Sequence, residues 1–203
     1  MPDPDQQKSI VVVSGLPRSG TSLMMQILEA AGIPILTDPT REPDPSNPNG
    51  YYELDAVKGT ARDAAWLATA PGHAVKVIHA LLPHLPNPYR YKVLLMQRDV
   101  KEVVTSQNQM LEALGDDQPP LPDGRLEAIF EQQMNETRQR LDREAHFDWI
   151  EVAHAGLFHD AERELQCVQS FLGLSGDIKT LLAAIDPALY RTRLSPIPAE
   201  SRA

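Results

Sequence analysis

Val11, Val12 and Val13 run into a glycine-rich turn, Gly15-Leu16-Pro17-Arg18-Ser19-Gly20, and the turn runs through Thr21 and Ser22 into a helix-favouring segment, 23–30. A run of β-branched residues suits a strand. Leu23, Met24, Ile27 and Leu28 then recur close to helical spacing. Strand, tight turn and helix follow one another without a spacer. The separation of Gly15 from Gly20 is that of a phosphate loop, in which successive backbone N–H groups curl round an anion at the positive end of a helix. One short stretch thus predicts both an α/β fold and an anion as its ligand.

A loop of this spacing that serves a nucleoside triphosphate carries lysine after its second glycine, where it meets the outer phosphates. Here Gly20 is followed by Thr21 and Ser22, and the cation of the turn is Arg18, whose planar fork suits a bidentate grip on phosphate. The expected anion is therefore something other than an ordinary triphosphate. A second strand is expected over 91–96, ending in Gln97-Arg98-Asp99. A helix follows, with Val100, Val103, Val104, Gln107, Met110, Leu111 and Leu114 on one stripe and Glu102, Ser106 and Gln109 off it. Arg98 falls at a strand's carboxyl end and Ser106 about two turns into the next helix, where open α/β sheets place ligand contacts. The residues alone also allow Arg98 to pair with Asp99 or a neighbouring acid, and Ser106 to face solvent.

The motif Leu16-Pro17-Arg18-Ser19-Gly20-Thr21-Ser22 resembles the 5'-phosphosulfate loop of sulfotransferases, in the variant with Arg found in tyrosylprotein sulfotransferases rather than the Lys of the cytosolic ones. Arg98 followed eight residues later by Ser106 resembles the 3'-phosphate signature of the same family. Asn47-Pro48-Asn49-Gly50-Tyr51-Tyr52-Glu53 is similar to a segment of short bacterial sulfotransferase-like proteins, and Phe171-Leu172-Gly173-Leu174 to a common late motif. The resemblance implies a three-layer sandwich like that of P-loop NTPases, with a mostly parallel central sheet. It also implies transfer of a sulfuryl group from 3'-phosphoadenosine 5'-phosphosulfate (PAPS) to a hydroxyl or amine, with Gly15, Pro17, Arg18, Ser19, Gly20, Thr21, Ser22, Arg98 and Ser106 holding the donor.

Such transfer needs a base for the acceptor's proton. Glu53 is the first candidate, because some resembling families use a glutamate between the two phosphate motifs; alternatively it is a helix N-terminal acid. A strand is expected over 74–79, and cytosolic sulfotransferases carry Lys-x-His there with His as base. Here His79 follows Lys76 by three residues, and unless the strand ends before it, alternation would turn it away from the side on which Lys76 points, so it ranks second. Lys76 either stabilises charge developing on the bridging oxygen or reaches out to water. The glycine- and basic-rich segment that completes the family's 3'-phosphate pocket has no good match; Arg191 and Arg193 lie nearest. A divergent small-molecule kinase and a non-catalytic nucleotide-binding module are the rival readings.

The remaining chain suits one domain over 1–203, with 1–8 as a flexible tail and 37–50 and 115–124 as loops. A scaffold helix is expected over 125–145, a strand over 147–152 and a helix over 161–172, with His154 and His159 at the surface or as caps. A net charge of −9 argues against nucleic acid or anionic membrane as partner, leaving a small-molecule acceptor. The lone Cys167, the acidic start and the lack of a long apolar run fit a cytoplasmic protein. Neither the acids of the first loop nor the histidines show metal-ligand spacing, so no metal is expected.

Overall fold

The computed structural model describes residues 9–38, 50–113, 115, 124–190 and 192. Its centre is a five-stranded sheet of β1 (Ser9–Gly15), β2 (Ile35–Leu36), β3 (Ala74–Lys76), β4 (Arg90–Gln97) and β5 (Phe147–Ala153), in the order β2-β3-β1-β4-β5 and parallel throughout. β1 lies between β3 and β4, and all seven of its residues are buried. That position explains the unbroken apolar run, since neither of its faces nor either of its edges meets water.

Strand alternation divides the core in two. Ile10, Val12, Val75, Tyr91, Val93 and Leu95 point to one face, which is covered by α3 (Val100–Ala113) and α4 (Arg125–Arg143) through Val103, Phe130, Met134 and Leu141. Val11, Val13, Ala74, Leu94, Met96 and Val152 point to the other, covered by α1 (Thr21–Ala30), α6 (Ala161–Leu172) and α7 (Ile178–Ala183) through Met24, Ile27, Leu165, Val168 and Leu181. Helix, sheet and helix form three layers, as anticipated.

Three elements depart from the sequence pattern. The helix anticipated from Val57 towards Leu67 is a single turn, α2 (Asp55–Lys58), followed by a 3-10 turn at Ala65–Thr69. Gly59 lowers helix propensity, and the Thr60 hydroxyl takes the Val57 carbonyl at 2.6 Å while accepting from the Trp66 indole at 3.0 Å. The strand expected over 74–79 ends at Lys76, and a 3-10 turn begins at His79 and continues to His84. The third is the short α5 (Gly156–His159). Residues 1–8 and most of both anticipated loops, 39–49 and 116–123, lie outside the described residues, as do Arg191 and Arg193.

Candidate anion and transfer site

β1 sends its chain towards β2 through α1, whereas β4 continues to β5 on the opposite side. Neighbouring strands whose connections part in this way leave a crevice at their carboxyl ends, the usual ligand position in open α/β sheets. The turn 15–20 and Arg98 directly follow those two carboxyl ends.

The turn has no room for side chains at its glycines. A Cβ on Gly15, whose φ is 147°, would stand 2.5 Å from the Ser19 hydroxyl and 2.9 Å from the Met96 carbonyl. Gly20, with φ 96°, is the N-cap of α1, and its Cβ would stand 2.4 Å from the His154 ring. Arg18 also adopts positive φ, at 67°. Positive φ at Arg18 and Gly20, on either side of Ser19, is the alternation that backbone anion sites use at the start of a helix, while the Ser19 N–H itself donates to the Leu16 carbonyl at 3.2 Å. Ser19 is 1% exposed and its hydroxyl has no hydrogen-bond partner among the described residues. A buried polar atom without a partner, inside a cradle too tight for a Cβ, fits an anionic ligand such as a phosphosulfate. Pro17 is exposed, Thr21 is buried and Ser22 is half-buried.

Arg98 leaves β4 and points back into the protein. It donates to the Arg18 carbonyl at 2.8 Å, to Glu102 at 3.0 Å, and to the hydroxyl and carbonyl of Thr192 at 2.6 and 3.0 Å, with its guanidinium 5.5 Å from the centre of the Tyr190 ring. Tyr190 in turn donates to Glu102. The neighbouring-acid alternative thus holds for Arg98, whose partner is Glu102 and not Asp99. Ser106 does not face solvent: it is buried and accepts from Arg18 Nε at 3.2 Å. Glu102, placed off the apolar stripe by its polarity, is buried as well, because Arg98 one helical turn earlier neutralises it. That spacing was the signal for the pair.

On the β3 side, Lys76 donates to the Ser22 hydroxyl at 3.3 Å and to the Tyr51 carbonyl at 3.0 Å. It therefore stands beside the first turn of α1, although it comes from another strand. His79 corrects the alternation argument: the strand stops before it, so the ring turns inward and Nδ1 lies 3.1 Å from the Gly15 carbonyl. Its Nε2 lies 3.1 Å from the Gln133 side-chain oxygen on α4. Glu53 is one-third exposed and 3.7 Å from Lys58, an ion pair at the surface.

His154, expected at the surface or as a cap, is instead 4% exposed beneath the turn. It packs edge-on to Tyr190 at 4.9 Å and beside Phe158 at 5.2 Å. Burial, aided by the Arg98 charge, lowers its pKa from 6.5 to about 3, so the ring is neutral near pH 7. Its place directly after the carboxyl end of β5 was the available clue. In contrast, nothing local marked Gln133, Tyr190 or Thr192, which reach the site from the distant parts of the chain.

No family model and no curated protein sequence matches the chain. Among solved structures, it is similar to the sulfotransferase domain from the olefin synthase of Synechococcus PCC 7002, with a TM-score of 0.54 and 17% identity, over 97% of this chain and 92% of that one. The chain therefore has a sulfotransferase-like α/β fold. Among the described residues, no helix is long and apolar enough to cross a membrane.

Proposed function

We propose that the protein is a sulfotransferase that moves a sulfuryl group from PAPS to a hydroxyl or amine of a small-molecule acceptor. The observation that carries the reading is the meeting of two motifs in one crevice. Arg18 reaches Ser106, 88 residues away in the chain, and Arg98 grips the Arg18 carbonyl from below. PAPS, when bound, supplies the sulfuryl group and leaves as adenosine 3',5'-bisphosphate.

In this reading the turn from Gly15 to Ser22, with Arg18 and the Ser19 hydroxyl, holds the phosphosulfate, and the side formed by Arg98 and Ser106 holds the 3'-phosphate. Arg98 contributes there through its charge and through the placement of Arg18, because Glu102 and Thr192 already occupy much of its fork. Lys76 brings a positive charge to the loop from β3, in place of the lysine that the turn lacks, and favours negative charge developing nearby. His79 is the better-placed base. A carbonyl only accepts, so the Gly15 contact places a ring proton on Nδ1 and leaves Nε2 as the nitrogen to take the acceptor's proton. A half-turn of the Gln133 amide offers that nitrogen an N–H until an acceptor arrives. Glu53 stands at the surface, one-third exposed and 3.7 Å from Lys58.

The test is titration calorimetry with adenosine 3',5'-bisphosphate, run beside ATP with magnesium. Metal-independent binding of the bisphosphate is expected, weakened about tenfold to a hundredfold in Arg18→Ala, the loss associated with one charged hydrogen bond. Binding of Mg-ATP alone would transfer the protein to the kinases, and binding of neither would remove the catalytic reading.

A further inference from the structure

The 3-10 turn His79–His84 and α4 enclose a groove of about 360 Å³. His79 and Gln133 line it, as do Leu82, Pro83, Arg140 and Arg143. The three α4 residues among these are seven and three positions apart and therefore share a stripe along the helix. Ten residues separate Gln133 from Arg143, which at a rise of about 1.5 Å per residue makes the groove's span about 15 Å.

Its chemistry changes along that length. At one end is the imidazole, whose opposite nitrogen touches the first residue of the anion turn. Leu82 and Pro83 provide an apolar middle. At the other end are two guanidinium groups with one carboxylate between them: Arg140 donates to Glu144 at 2.6 Å, and Arg143 lies 3.8 Å from the same oxygen. Glu136 also lines the wall, with one of its oxygens accepting from Gln132 at 2.8 Å. At this end two guanidinium groups share the single Glu144 carboxylate, with Glu136 one helical turn back from Arg140 along the wall, and a second carboxylate is the group that a guanidinium fork best accommodates.

We propose that this groove is the acceptor site and that its ligand is an elongated hydroxy acid. The hydroxyl sits at His79 Nε2 in place of the Gln133 amide, the chain lies along Leu82 and Pro83, and the carboxylate pairs with Arg140 and Arg143. The assignment of this ligand as an acceptor rests on the proposed function; its binding does not.

The experiment titrates the full chain, without donor, with ω-hydroxydecanoate and with the neutral diol of the same chain length. The acid is expected to bind at least about tenfold more tightly than the diol, and the Arg140→Gln/Arg143→Gln double variant to lose that advantage while leaving diol binding unchanged. Equal binding of acid and diol, binding of neither, or acid affinity untouched in the double variant overturns the proposal. Adenosine 3',5'-bisphosphate is titrated into the same samples. If it fails while the acid behaves as expected, the sulfuryl reading falls and the groove assignment stands; if it binds while the acid does not, the groove assignment falls alone.

Discussion

The sharpest consequence of the buried histidine under the anion turn is a pH-dependent stability. His154 has almost no contact with water, and Phe158, Tyr190 and Gly20 surround its ring while Arg98 adds a like charge nearby. The folded protein therefore resists protonating it until about pH 3, whereas the unfolded chain takes up the proton near its ordinary value of 6.5. Between those two values the unfolded state binds more protons, so stability rises with pH. Equivalently, the stabilisation is complete above the unfolded value and is lost progressively as pH falls towards the folded one. At about pH 5 the separation from the unfolded pKa is about 1.5 units, which at about 1.36 kcal/mol per unit amounts to about 2 kcal/mol. The assay is urea unfolding of wild type and His154→Leu at about pH 7.5 and about pH 5. Every other titrating group is common to both, so the difference between their pH dependences isolates His154. Wild type is expected to lose about 2 kcal/mol more than the variant over this interval. Equal losses would refute the reasoning, since they would mean that the ring protonates as readily folded as unfolded.

Two further outcomes follow from the same corner. Gly20→Ala is expected to cost more than the about 1–2 kcal/mol of a left-handed non-glycine residue, because the new methyl overlaps His154; thermal unfolding of Gly20→Ala, His154→Ala and the double variant should reveal a non-additivity of about 0.5–3 kcal/mol, and strict additivity would deny the contact. Arg98→Ala, which removes the guanidinium 3.0 Å from the buried Glu102, should cost about 3–5 kcal/mol in urea unfolding, whereas Arg98→Met with Glu102→Leu should cost less; a double variant as unstable as the single one would show that packing, not charge, holds this corner.

The glycine turn and the strand end at Arg98 were legible because each sits on a feature that sequence expresses locally. A buried central strand must be apolar throughout, and a turn with no space for Cβ must be glycine at Gly15 and Gly20. A helix likewise shows its face by its period, so α1, α4 and α6 were readable. Local pattern also misled: strand alternation placed His79 on the wrong side, because nothing in the residues 74–79 announces that pairing with β1 stops after Lys76. Polarity put Glu102 and His154 at the surface, yet each is buried once distant groups surround it.

By itself, then, the sequence determined the class of fold, the glycine turn and the strand end at Arg98, since backbone conformation and burial on both faces restrict residue types position by position. Tertiary structure alone decided the partners. Which cation stands beside the turn, which carbonyl meets the His79 ring, and which arginines end the groove are contacts between segments far apart in the chain. Such contacts follow from sheet order and helix packing, and they leave no periodic trace in the residues that make them.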